Sequence, residues 1–424
     1  MKPFKSLKKA VKWVETRVKF KPKADLTKMT AAFSLLNINA QFKKIHVAGT
    51  NGKGSTTSYV SNILIEAGYK VGSFLSPYLI KFNERIRLNM QEIDDDNLLR
   101  LLNFIHEFEN SFFIQYDEHL SFFELLTLVA LKYFDEQKCD FIVMEVGIGG
   151  LLDSTNVLKY DLSLITNIGF DHMKQLGTTL ESIAYNKLGI LKEYGILVST
   201  VNNDLFPLFE KYVLDKNAIF HHIPQSSLKI ISENPLIFDY LGVSFHPKLL
   251  GRHQAFNAAL AIKGIKELDL GIEDKFILKG INETTNPGRL EVISKNPLVV
   301  IDGAHNIHGI SALISSIGAI QTGKLWVIFS ALKDKEPVKM INMLQEISSN
   351  IVLTTFDDPR KLSISDIIME LNDVVFVNDF KKAFHFVKVN MNSDDTLLIT
   401  GSIHFIGYVK KVFSTKKYNC CKKI

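Results

Sequence analysis

The strongest constraint on the fold is an alternation of short, almost continuously apolar runs with longer amphipathic stretches. KKIHVAG (43–49), KVGSFLS (70–76), DFIVMEV (140–146), LSLITNI (162–168) and ILVST (196–200) are rich in β-branched and aromatic residues. Runs of this length, without strict in–out alternation, suit strands covered on both faces, as in a parallel sheet. Residues 56–67, 121–137 and 179–193, which lie between them, carry helical periodicity. Such alternation predicts a doubly wound α/β architecture.

A second series follows: RLEVIS (289–294), PLVVIDG (297–303), KLWVIFS (324–330), NIVLTTF (350–356), DVVFV (373–377) and DTLLITG (395–401). TTNPG (284–288) separates the two series, and its Pro-Gly pair is a strong turn signal. Two α/β domains are expected. Residues 1–285 would hold a mostly parallel sheet of the phosphate-loop type with helices on both faces. A linker at 285–288 would lead to a smaller, Rossmann-like domain over 289–424. The stretch around 200–250 offers only short candidate strands.

Composition narrows the function classes. Fifty basic against 45 acidic residues leave a net charge of +5, too balanced to point to nucleic acid. No apolar stretch approaches the roughly 18–20 residues that span a bilayer, and the basic N-terminus lacks a signal peptide's apolar core. Cys139, Cys420 and Cys421 form no disulfide framework and no zinc-type spacing. The expectation is a cytoplasmic protein with a buried, structural Cys139.

Polar, glycine-containing clusters recur where apolar runs give way to helical patterns. HVAGTNGKGSTT (46–57) sets three glycines around Lys53, between a strand and a helix. That order gathers backbone N–H groups and a helix N-terminus around phosphate. Its spacing departs from G-x-x-x-x-G-K-[ST], because Gly54 separates Lys53 from Ser55. A tight turn explains Gly49 and Gly52 but not a lysine held between glycines beside hydroxyls. VMEVGIGGLLDSTN (143–156) places Glu145 at the end of an apolar strand, where a carboxylate needs a partner or a metal. ITNIGFDHMKQLGTTLESIAYNKLGILK (165–192) brings Asp171, His172 and Lys187. LLGRHQAFNAALAI (249–262) carries Gly251, His253, Gln254 and Asn257 into a helix. VVIDGAHNIHG (299–309) adds Asp302 and His305, and Arg289 follows the linker. Each cluster alone is compatible with capping or turn chemistry.

Taken in order, the segments resemble the folylpolyglutamate synthase / dihydrofolate synthase family, within the Mur-ligase-like ATP-dependent amide ligases. GTNGKGST, SPYLIKFNERI (76–86), SFFELLTLVAL (121–131), EVGIGGLLDSTN, TNIGFDH, LLGRHQAFNAALA, NPGRLEVI, IDGAHN, KDKEP (333–337) and TGSIHFIGYV (400–409) carry the likeness. The glycine between lysine and hydroxyl is this superfamily's variant of the loop.

The resemblance implies ATP phosphates on Gly52, Lys53, Gly54 and Ser55, with Asn257, Arg289 and Asp302 as further ATP contacts. It implies two Mg2+ ions, held by Ser76, Glu145 and His172. Lys187 aligns with a lysine that is carboxylated on Nζ in this family, although Asn186 precedes it where glutamate is usual. Lys53, Lys187, His172, Asp302 and His305 are the expected catalytic set. The pterin would meet Ser121, Phe122, Phe123, Glu124, Leu152, Asp153 and Ser154.

The implied reaction moves the ATP γ-phosphoryl group to a carboxylate, and the L-glutamate amine then displaces phosphate. Domain closure is expected to bring Arg289 and Asp302 onto ATP. Dihydropteroate and reduced folates are the expected acceptors of a monomeric enzyme without nucleic-acid or membrane partners. Folylpolyglutamate synthesis alone, or a Mur-type peptidoglycan precursor ligase, remain alternatives. Leu151, Tyr78 and Ile307 depart from the family's usual polar residue, histidine and proline. A phosphotransferase or GTPase-like switch would use the loop but leaves the second domain without a task.

Overall fold

The computed structural model describes residues 2–19, 25–333, 335–362, 367 and 370–414. Asp334 of the KDKEP segment, Cys420 and Cys421 lie outside the described residues. The chain divides into two compact units, Met1–Ser227 with Phe256–Thr284, and Leu228–Ala255 with Thr285–Ile424.

In the first unit, eight strands form one sheet: β1 (Lys43–Ala48), β2 (Val71–Phe74), β3 (Ile86–Leu88), β4 (Gln91–Glu92), β5 (Phe141–Glu145), β6 (Leu162–Ile165), β7 (Ile196–Ser199) and β8 (Ile219–His222). Their order is β4-β3-β2-β5-β1-β6-β7-β8. From β2 to β8 all neighbours are parallel, while β3 and β4 add antiparallel at one edge. β2 and β5 are buried at every position, which explains why their sequences are mostly apolar, with Ser73 and Glu145 as the polar exceptions. Ile142 and Met144 of β5 join a core with Leu125, Leu128 and Phe134 from the helix Phe122–Glu136. A second core gathers Ala48, Ile165 and Leu197 with Ile183, Leu188 and Phe209. Each buried Leu, Ile, Met or Phe side chain among them contributes about 1.5–3 kcal/mol by transfer from water.

The register matters for function. Val47 pairs with Glu145 and Ala48 with Ile165, so β5, β1 and β6 end side by side. β2 ends next to β5, with Phe74 opposite Met144.

The second unit holds β9 (Lys229–Glu233), β10 (Leu236–Tyr240) and β11 (Val243–Phe245), an antiparallel sheet from the stretch whose sequence was least regular. Its larger sheet comprises β12 (Glu291–Lys295), β13 (Leu298–Ile301), β14 (Leu325–Phe329), β15 (Asn350–Thr354), β16 (Val374–Val377) and β17 (Thr396–Thr400). The order is β12-β13-β17-β14-β15-β16, parallel except for β12. Val300, Val327, Phe329 and Leu398 pack with Ile310, Leu313, Met340 and Ile341. The expected mixed α/β fold, with a larger parallel-rich sheet followed by a smaller α/β sheet, is observed. Among the described residues no helix is long and apolar enough to cross a membrane.

Candidate active site

The loop after β1 is fixed from two sides. Gly52 immediately precedes the helix Lys53–Glu66 with φ of 86°, a left-handed conformation that glycine adopts without a Cβ penalty. A Cβ there would lie 2.3 Å from Asn257 Oδ1, so the expected ATP contact Asn257 closes against the loop itself. Asn257 is buried with Gln254 on the helix Arg252–Glu267.

From the other side, the segment after β6 clamps the loop. Thr50 N donates to Asn167 O (2.9 Å), Asn51 N donates to Asn167 Oδ1 (3.0 Å) and Thr166 Oγ1 donates to Asn51 O (2.6 Å). Thr50 Oγ1 donates to Gly169 O and accepts from Gly169 N, each at 3.0 Å. Sequence reasoning valued the TNIGFDH segment for Asp171 and His172 and missed this clamp. A threonine and an asparagine directly after a strand were the only local signal.

Two lysines converge on the loop. Lys53 Nζ donates to the carbonyls of Gly49 and Thr50 at 3.1 Å each. Lys187, near the end of the helix Leu180–Leu188, donates from Nζ to the same Gly49 carbonyl at 2.8 Å. Lys187 is 4% exposed. Burial, then the Lys53 charge, pull its ammonium down to about 7, while Asp171 and Asp153 oppose the shift. A good part of this amine is therefore unprotonated at neutral pH.

The expected metal residues are placed in two parts. Glu145, 4% exposed at the end of β5, accepts from Ser76 N at 3.0 Å. His172 has φ of 50° and starts the short helix Met173–Leu176. Its Nε2 lies 3.9 Å from Asp171 Oδ2, and its N–H donates to Asp171 Oδ1 at 2.8 Å. No group of three or more His, Cys, Asp and Glu side chains is poised for a metal among the described residues. One buried carboxylate beside a serine still suits a hard cation such as Mg2+, which keeps part of its water shell.

On the substrate side, Ser121 caps the helix Phe122–Glu136. Glu124 N donates to Ser121 Oγ (3.4 Å) and Ser121 N donates to Glu124 Oε2 (2.8 Å), a capping box. Glu124 is 1% exposed, and the same Oε2 that takes the Ser121 N–H pairs with Lys28 at 3.1 Å. Phe123 packs 5.5 Å from Phe74 and against Gly147, where a Cβ would sit 2.7 Å from its ring and 3.1 Å from Asp153 Oδ2. Only a glycine lets Phe123 and Asp153 share that space.

Asp153 is the centre of its loop. Its Oδ2 accepts from Gly147 N (3.1 Å) and Ile148 N (3.0 Å); its Oδ1 accepts from Thr155 N (3.0 Å) and Thr155 Oγ1 (2.6 Å). Behind it, Thr155 Oγ1 lies 2.7 Å from Nε2 of the fully buried His46, which stacks on Tyr160. Leu151 N donates to Asn186 O (2.7 Å), docking the loop with Leu152 and Ser154 on the helix that carries Lys187. The first unit thus brings the phosphate loop, Asn257, Lys187, Glu145 and the 147–154 loop into one region at the strand ends.

In the second unit, Asp302 follows β13 and is 7% exposed. Its Oδ2 accepts from Leu290 N and its Oδ1 from Ala304 N, both at 2.8 Å. Burial raises its carboxyl above the usual range, and Arg289 and these two bonds counter that. His305 Nδ1 lies 2.9 Å from Gly303 O. Asn306 caps the helix Ile307–Ile317 by accepting from Gly309 N at 2.7 Å, so Ile307 starts a helix without the usual proline. His253 is half-buried, and desolvation first, then the Arg289 and His308 charges, drive its imidazole down to about 4.

Residues 47–264 match the Mur ligase middle domain, and residues 288–403 match the Mur ligase glutamate ligase domain. Fold and site together define a Mur-type ligase. The chain is 35% identical, over 96% of its length and 99% of the relative's, to the dihydrofolate synthase/folylpolyglutamate synthase of Bacillus subtilis. It is 32% identical to the folylpolyglutamate synthase of Lacticaseibacillus casei, over 90% of this chain and 92% of that one. The Escherichia coli FolC structure with DHPP and ADP superposes with a TM-score of 0.87 at 26% identity, covering 97% of this chain and 98% of that one. A bifunctional folylpolyglutamate synthase/dihydrofolate synthase with Mn, AMPPNP and L-glutamate bound gives 0.85 at 26% identity, covering 97% and 98%. The chain belongs to the dihydrofolate synthase/folylpolyglutamate synthase family and is an ATP-dependent amide ligase.

Proposed function

We propose that the chain joins L-glutamate to the carboxylate of dihydropteroate and, in a further reaction, to reduced folates, as a cytoplasmic monomer. The observation that carries this reading is the parallel register of β2, β5, β1 and β6. It sets Ser76, Glu145, the phosphate loop and the Thr166–His172 segment at adjacent strand ends, with the 147–154 loop docked beside Lys187. In this reading a phosphoryl donor and a carboxylate acceptor would meet within one region.

ATP activates the carboxylate as an acyl phosphate, the glutamate amine attacks the carbonyl, and phosphate leaves. Gly52, Gly54 and Ser55 present the start of a helix to the phosphates, and Lys53 offsets the charge that develops on them. Mg2+ on Ser76, Glu145 and His172 would neutralise charge on the transferring phosphoryl group. Asn257, Arg289 and Asp302 complete the ATP contacts, with His305 in the same motif as Asp302. We assign a carboxylated Nζ to Lys187, since its amine, held near 7, supplies the unprotonated form that adds CO2 and releases a proton. Phe123, Ser121, Leu152, Ser154 and the backbone held by Asp153 would line the pterin end.

The test is an ATP- and Mg2+-dependent assay with labelled glutamate, offering dihydropteroate and tetrahydrofolate separately. Product with both is expected. Product with tetrahydrofolate alone would reduce the enzyme to a folylpolyglutamate synthase. Product with neither, but with a UDP-muramyl acceptor, would overturn the folate reading. Light scattering showing a stable dimer would overturn the monomer.

A further inference from the structure

Arg85 ends the short turn Phe82–Arg85 ahead of β3 and is 7% exposed. Its guanidinium carbon stands 5.1 Å from the ring centre of Tyr78, 5.8 Å from Phe82 and 5.4 Å from Phe122. Its buried Nε has no hydrogen-bond partner. The carboxylates whose charge it feels are committed elsewhere. Glu84 accepts from Leu79 N, Ile80 N and Lys81 N; Glu15 accepts from the Tyr78 hydroxyl; Glu145 accepts from Ser76 N. A cation among three rings gains some cation–π attraction. That gain falls short of the cost of burying a charge without a directly bonded counter-ion.

The surroundings define the anion that fits. Leu75 N donates to Arg85 O at 2.8 Å, which ties Arg85 to the strand end that leads into Ser76. Phe122, on its other side, opens the helix capped by Ser121, where the pterin end was placed. An anion here has to sit among aromatic walls while presenting oxygens to a planar fork, which is the chemistry of an aryl carboxylate. We propose that Arg85 binds the reacting carboxylate of the pteroate-type acceptor and holds it beside Ser76 and Glu145. This rests on the folate reading above and names the group that orients the carboxylate for phosphoryl transfer.

The test compares two probes on the full-length protein: dihydropteroate, and its carboxamide analogue of equal size and no charge. Binding is read by fluorescence titration, with AMPPNP affinity measured in parallel. The wild type is expected to prefer the acid by about 10–100-fold, the range of a charge-assisted hydrogen bond. In Arg85→Gln the acid should fall to the affinity of the amide, with amide and AMPPNP binding unchanged. Arg85→Lys keeps the charge without the fork and should give an intermediate preference; it also serves if the glutamine variant does not fold. Equal loss of acid and amide, or an unchanged acid preference in the variants that fold, would overturn the proposal and leave Arg85 a packing residue. Wild-type binding of neither probe would overturn the folate reading, and this site with it.

Discussion

The phosphate loop and the 147–154 loop follow parallel strands that neighbour each other, β1 and β5, yet they are held by different means. The phosphate loop is shaped by backbone: a glycine at positive φ, a helix start, and carbonyls that take N–H and ammonium donors. The 147–154 loop is shaped around a side chain, since four donors converge on the single carboxylate of Asp153. A backbone-built site gives any triphosphate the same cradle. A site built around one carboxylate depends on each group behind it, down to His46 and Thr155.

Substitutions should separate the two. Lys53→Ala should lower kcat by about 10²–10³-fold with dihydropteroate and tetrahydrofolate alike, the cost of removing one preorganised charge from a transferring group. Unchanged kcat, or a loss confined to one acceptor, would break the assignment of phosphate stabilisation to Lys53. Lys187→Ala should lower kcat by about 10²-fold, and acetate should restore part of it if a carboxylate is what the residue supplies. Lys187 also predicts a pH effect. Its folded amine titrates near 7 and its unfolded amine near 10.5, so between these values the unfolded chain binds the extra proton. Stability should rise with pH across that window, and the rise should vanish in Lys187→Met. Urea unfolding in CO2-free buffer measures it.

Asp153→Asn should act on the other loop alone. Its amide accepts less well from the N–H groups of Gly147 and Ile148, so KM for dihydropteroate should rise about tenfold while KM for ATP holds. A matching rise for ATP would show that the two loops act as one body. The smallest effect is expected at Glu124→Gln, which keeps an acceptor for the helix cap but loses the Lys28 attraction. A loss of about 1 kcal/mol in urea unfolding, with unchanged AMPPNP affinity, is the expected result.

The two loops also differ in how far the sequence exposed them. The strands of both parallel series could be read because burial on two faces leaves unbroken apolar runs, as in β5 and β17. β3 and β4 went unread because edge strands of two or three residues carry no such run. The phosphate loop was legible because its glycines and lysine are consecutive in the chain. The clamp from Thr166 and Asn167 was not, since its partners lie 115 and 116 residues away. The pair of Glu124 with Lys28 went unread, since it joins residues 96 positions apart and its own segment reveals only the cap on Ser121.

The convergence of Lys53 and Lys187 on one carbonyl has a thermodynamic consequence. In CO2-free buffer below about pH 7, where Lys187 is uncarboxylated and protonated, two ammonium groups aimed at a single oxygen repel each other, and a multivalent anion that draws them apart relieves that repulsion in the native chain alone. Sulfate or inorganic phosphate should therefore raise the melting temperature more than chloride at equal ionic strength. The folded protein is in this sense a gauge of its phosphate surroundings before any folate is present.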